Sequence, residues 1–115
     1  MTVHAQQYWA SRLAADAAQL EHRRQAGLNQ AAEAAAALRK AWPSIRTVHL
    51  FGSILDERFR EHSDIDLLVD GLPANALLAA IALAEAAGPM QVDLKRREDF
   101  SANLSNRLLR RSRPL

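Results

Sequence analysis

The chain has 115 residues, the length of one domain of about 100–150 residues, so a two-domain enzyme does not fit within it. Hydrophobic residues make up 49% and charged residues 24%, but aromatics only 5%; the core must come from Leu, Val, Ile and Ala, and a large enclosed substrate cavity is not expected. Cysteine is absent and the formal net charge is +2, which excludes disulfides, thiolate metal sites and cysteine nucleophiles and is too mild to argue for nucleic acid by itself.

Four histidines, His4, His22, His49 and His62, match no zinc spacing, and His49 and His62 read as structural or exposed. No segment approaches the ~20 apolar residues of a membrane span, and the N-terminus lacks the order of a secretion signal. The expectation is a cytoplasmic protein without a membrane partner.

From about His4 to Trp42 the chain is rich in Ala, Leu, Gln, Glu and Arg and has no proline, which predicts helix. Leu13, Ala17 and Leu20 repeat at helical spacing, as do Leu28, Ala31, Ala35, Leu38 and Trp42, with Arg23, Arg24 and Gly27 between the two stripes. Gly27 is a candidate kink or break, and Pro43 ends the helix. About 35 helical residues would span roughly 50 Å, more than this domain can cover. The first half is therefore expected to project or pack on another chain, the alternative being a helical hairpin folded on itself.

After Pro43 the pattern changes. Arg46–Phe51 and Asp64–Val69 read as strands, Ile54–Arg60 as two helical turns, Leu72–Ala87 as a helix, Met90–Leu94 as a third strand, and Ser101–Arg111 as an amphipathic helix with Leu104, Leu108 and Leu109 inward. The first two strands should run antiparallel, and the third parallel to the second after a helical crossover.

Residues two apart in a strand face the same way, so Asp64 and Asp66 are expected on one face about 6.6 Å apart. Paired carboxylates gain from a shared hard cation, and Mg²⁺ takes one or two carboxylates plus substrate phosphates. Asp93, flanked by Val92 and Leu94, is the candidate third acid. Gly52-Ser53 sits between a strand and a helix start, where backbone N–H groups favour a phosphate and Ser53 can cap the helix and donate its hydroxyl. Taken singly these are common: an isolated D-x-D is usually a solvated turn, and Gly-Ser after a strand is ordinary punctuation. Their conjunction is specific.

Leu50-Phe-Gly-Ser53, Ser63-Asp-Ile-Asp-Leu-Leu-Val69 and Val92-Asp-Leu94, in that order and spacing, resemble the minimal nucleotidyltransferases, the MNT branch of the DNA polymerase β-like superfamily. The resemblance covers about Leu28 to Leu115, which divides the chain into an N-terminal helical extension, 1–27, and a nucleotidyltransferase domain, 28–115. It implies an α+β fold with a small mixed three-stranded sheet flanked by helices, and transfer of a nucleoside monophosphate from an NTP, AMP from ATP, to a hydroxyl. It also implies two Mg²⁺ ions on Asp64, Asp66 and Asp93, the last also helping to deprotonate the acceptor, with Gly52 and Ser53 holding phosphates. Many relatives are antitoxins that adenylylate a tyrosine of a HEPN-domain toxin.

One departure stands out. Many members follow the Gly-Ser with Arg-Ala-Arg-Gly, whereas here Ile54-Leu55-Asp56-Glu57 follow, leaving Arg58 or Arg60 to reach the phosphates. Lys95 is placed beside Asp93 as a further nucleotide contact. Arg107, Arg110, Arg111 and Arg113 read as solvated helix-end charge, with a nucleotide phosphate or acidic partner as the functional rival. A basic face with interleaved aromatics is lacking, which weighs against nucleic acid. The lack of a second domain points to a macromolecular acceptor, and the N-terminal stripe through Tyr8, Trp9, Leu13, Ala17 and Leu20 to a toxin or a second copy. The rival from another class is a catalytically idle antitoxin that binds its toxin.

Overall fold

The computed structural model describes residues 2–115. Helix α1 runs unbroken from Val3 to Ala41, capped by Thr2, whose hydroxyl accepts from the Ala5 amide at 3.2 Å. Gly27 does not break it. A Cβ there would lie 2.7 Å from Met90 Sδ and 2.8 Å from Ile54 Cδ1, so this glycine permits close packing of the helix on the body. The single helix also replaces the hairpin alternative.

Strands β1 (Thr47–Phe51), β2 (Ile65–Asp70), β3 (Val92–Arg96) and β4 (Arg113–Pro114) form a mixed sheet of order β3-β2-β1-β4. As the sequence predicts, β1 and β2 are antiparallel and β2 and β3 parallel. The fourth strand corrects the expected count of three. Two residues are too few to show a period, and their place comes from pairing with His49 and Leu50 and from the Leu115 amide donating to the Val48 carbonyl at 2.9 Å.

Helix α2 (Leu77–Ala86) is shorter than expected. Leu72, restricted by Pro73, drops into the core instead, and a 3₁₀ turn at Ala74–Ala76 leads into the helix. The second half of α1 and α2 cover one sheet face, burying Ala31, Ala34, Leu38, Leu50, Ile65 and Leu67 among others. Gln30 staples these layers: its Nε2 donates to the carbonyls of Met90 (2.9 Å) and Ala84 (3.3 Å), and its Oε1 accepts from the Met90 amide at 2.9 Å.

Helix α3 (Ala102–Arg110) lies against β1. Leu108 and Leu109 are half-buried, but Leu104 is 39% exposed and Ser105 is the buried position, which corrects the expected inward Leu104. The N-terminal half of α1 overhangs the body, as expected of one of the two alternatives: Trp9 is 54% and Leu13 67% exposed, and the molecule is 61 Å long.

Candidate active site

Phe51 pairs with Asp66, and Asp66 with Asp93, so these residues form one row across β1, β2 and β3. Their neighbours Leu50, Ile65, Leu67, Val92 and Leu94 are buried in the core. By strand alternation the row therefore faces away from α1 and α2. Burial, then the facing Asp93 carboxylate, pushes the Asp66 carboxyl up to about 6, with Asp64 adding to the repulsion and Lys95 opposing it. Lys95 Nζ bonds Asp93 Oδ2 at 2.5 Å.

Asp64 lies one residue before β2 and is exposed. Among the described residues no group of three His, Cys, Asp or Glu side chains is arranged to hold a metal ion. Asp66 and Asp93 nevertheless fit a hard divalent cation, because two opposed carboxylates with one compensating lysine carry unbalanced negative charge. Mg²⁺ commonly completes its shell with substrate phosphates rather than a full protein cage.

Gly52 turns the chain out of β1 with φ of +85°. The next residues make a single 3₁₀ turn, Ser53–Leu55, not the two helical turns expected over Ile54–Arg60. Asp56 ends the turn, because its carboxylate accepts the Arg58 amide at 2.8 Å and the Arg58 guanidinium at 2.7 and 3.1 Å. Arg60 closes back on the carbonyls of Glu57 and Phe59, both at 2.8 Å. Gly52 occupies the cap position with no side-chain cap bond, so the expected capping role of Ser53 is not seen; Ser53 is the first residue of the turn. Arg58, expected at the phosphates, pairs with Asp56 at the surface and lines the cavity beside Gly52.

Two arginines read as a mere break between stripes acquire roles here. Arg24 Nη1 donates to the Ile54 carbonyl at 3.2 Å while gripping Glu21 at 2.9 and 3.0 Å, so α1 holds the turn in place. Arg23 lines a shallow cavity with Asp64, Glu61 and Gln91, its Nε buried without a partner. Neither role had a local signal, since the partners lie 30 or more residues away. In the Lys95-Arg96-Arg97 run, Arg96 binds Asp99 at 2.6 Å and the Leu72 carbonyl at 2.8 Å, and Arg97 lies 3.5 Å from Asp70.

Among the described residues no helix is long and apolar enough to cross a membrane. No curated protein sequence matches the chain. Among solved structures, a chain of a mutant of the toxin–antitoxin MntA-HpeT is 26% identical with a TM-score of 0.57, the match covering 70% of this chain and 66% of that one. A structure provisionally described as a minimal nucleotidyltransferase is 28% identical with a TM-score of 0.52, covering 87% and 96%. A chain in the complex of tri-AMPylated Shewanella oneidensis HEPN toxin with MNT antitoxin, at 23% identity and a TM-score of 0.58, covering 79% and 70%, shares the fold. The profile of the family described as Polymerase beta, Nucleotidyltransferase matches residues 33–114, spanning β1, the Gly52 turn, β2 and β3, and the chain belongs to that family.

Proposed function

We propose that this protein is a Mg²⁺-dependent nucleotidyltransferase that moves AMP from ATP to a hydroxyl, a tyrosine of a HEPN-type toxin, and so acts as an antitoxin. The observation that carries the reading is the Asp66–Asp93 pair in register beside the Gly52 turn. The toxin partner rests on the likeness to the MntA-HpeT chain and on the resemblance of the sequence to MNT antitoxins.

Asp66 and Asp93, with Asp64 at the entrance to β2, are the residues that would hold two Mg²⁺ ions. When bound, the metal neutralises phosphate charge and stabilises both the attacking and the leaving oxygen of an in-line displacement. The backbone N–H groups of Gly52 and Ser53 and the Ser53 hydroxyl bind the outer phosphates. Lys95 holds Asp93 and reaches the same phosphates. The acceptor oxygen bonds to the α-phosphorus, the bond to the bridging oxygen breaks, pyrophosphate leaves, and Asp93 takes the acceptor proton.

The overhanging stripe Trp9–Leu13–Ala17 favours association with the toxin or a second copy. It also keeps a second reading in view, an antitoxin that acts by docking alone, to which the absence of arginines from Ile54-Leu55-Asp56-Glu57 after the turn lends weight. Incubating the protein with each α-labelled NTP, Mg²⁺ and the product of the adjacent reading frame decides between them. Label on the partner with wild type, and none with Asp66→Ala, is the expected result. A toxin neutralised equally by wild type and Asp66→Ala, without label, establishes docking instead.

A further inference from the structure

A cavity of about 600 Å³ opens beside the phosphate turn, lined by Phe51, Gly52, Leu55, Arg58, Arg107 and Arg111 among others, a volume typical of small-molecule sites. Its position follows from register. Phe51 begins the row that continues through Asp66 to Asp93, so the cavity lies one strand from the carboxylates. On the other side of β1, His49 pairs with Pro114 and Leu50 with Arg113. Arg111, the C-terminal cap of α3 two residues before β4, lines the cavity together with Gly52. The short fourth strand thus delivers the end of α3 to the turn.

The charge of this cavity is unevenly assigned. Arg58 is held by Asp56, and Glu57 adds a second acid to the lining. Arg107 and Arg111 are exposed, and among the described residues neither is in a salt bridge. The C-terminal end of a helix repels anions through its carbonyl dipoles; two arginines in the last turns of α3 reverse that sign. Guanidinium groups bind phosphate oxygens in a bidentate fork.

We infer that Arg107 and Arg111 bind the outer phosphates of the nucleoside triphosphate, supplying from α3 the positive charge that Ile54-Leu55-Asp56-Glu57 do not supply after the turn. The inference rests on the nucleotidyltransferase reading and deepens it. At the rim of a flat surface the same cations would suit an acidic peptide. In a cavity that shares Gly52 with the phosphate turn and Phe51 with the carboxylate row, they suit a polyphosphate. Ser105 and Leu108 seat α3 on the body, so neither guanidinium is needed for packing.

The test is calorimetric titration of the full chain with ATP and with AMP in Mg²⁺ buffer, comparing wild type, Arg107→Ala, Arg111→Ala, the double variant and Arg12→Ala. Arg12 removes the same charge from the overhanging part of α1, and Arg→Gln pairs serve if the alanine pair melts early. Each α3 substitution should weaken ATP binding about tenfold and AMP binding less, with Arg12→Ala unchanged. Unaltered ATP affinity in a folded double variant overturns the role of α3 while leaving the nucleotidyltransferase reading intact. An equal loss for AMP or in Arg12→Ala overturns it as well. Wild type that binds no NTP overturns both.

Discussion

The Asp66 carboxylate fills the space that a side chain at Gly52 would need: a Cβ at residue 52 would overlap Oδ2 of Asp66 and lie 3.0 Å from its Cγ. The phosphate turn and the buried acid are thus packed against each other, and glycine serves both a positive φ and a close approach. Gly52→Ala should displace Asp66 and strain the turn by about 1–3 kcal/mol, because its φ of +85° and ψ of −163° lie in a region that is essentially glycine's alone. We expect transfer to fall at least tenfold, a folded protein by circular dichroism, and a lower Tm. Full activity would show that the turn and the carboxylate work independently.

The Asp66–Asp93 contact sets two acids against each other, so Asp66→Asn should raise the thermal stability of the metal-free protein while abolishing transfer. Added Mg²⁺ should raise the Tm of wild type and leave that of Asp66→Asn nearly unchanged, because a ligand of the native state stabilises by mass action. Thermal melts with and without Mg²⁺ give both comparisons. Equal Mg²⁺ shifts in the two proteins would remove Asp66 from the metal site.

Gln30 is buried and satisfies three backbone groups of α2 and the loop before β3. Gln30→Leu leaves the Met90 amide and carbonyl unpaired, at about 1–3 kcal/mol for each buried group. Urea denaturation should show a loss of at least about 2 kcal/mol, whereas Gln25→Ala on the exposed face should cost little.

Hydrogen bonding from Arg46 holds the Asp70 carboxyl below the usual carboxylate range, with Glu98 and Arg97 contributing. A lowered native pKa means that the unfolded state binds more protons as pH falls. The stabilisation is present above an ordinary carboxylate pKa of about 4 and is lost as pH drops through the lowered native value. Arg46→Ala should therefore destabilise the protein at pH 7 and do so less near pH 3, below the ordinary carboxylate value. Urea melts at the two pH values test the sign.

Residues 3–18 of α1 are almost entirely exposed, with Tyr8 and Trp9 meeting edge to face at 5.4 Å. Removing residues 1–18 should leave the melting transition nearly intact and abolish association with the toxin or with a second copy. Light scattering and size exclusion on both forms read the outcome; unchanged association would place the interface on the body.

The strands and the carboxylates could be read from sequence because strand alternation is a local property. Val48 and Leu50, or Val92 and Leu94 around Asp93, announce which side faces the core and which faces out. The helix over Ile54–Arg60 is stopped in part by a bond between near neighbours, Asp56 and Arg58, and in part by the burial of Phe59, which no local pattern announces. Gly27 was ambiguous for the same reason: a glycine in a helix reads as a weak point until Met90 and Ile54 are brought against it.

Sequence alone determined the order of the three long helices and the three main strands, the sense of those strands and the residues on the polar side of each, since these follow from period, turn chemistry and chain connectivity. Only the tertiary structure decided that Asp66 and Asp93 share a row while Asp64 stands outside it, that Arg24 steadies the turn, and that β4 brings Arg107 and Arg111 to Gly52. Those relationships join residues 27 to 59 positions apart, and no local pattern encodes a contact made only when the sheet closes.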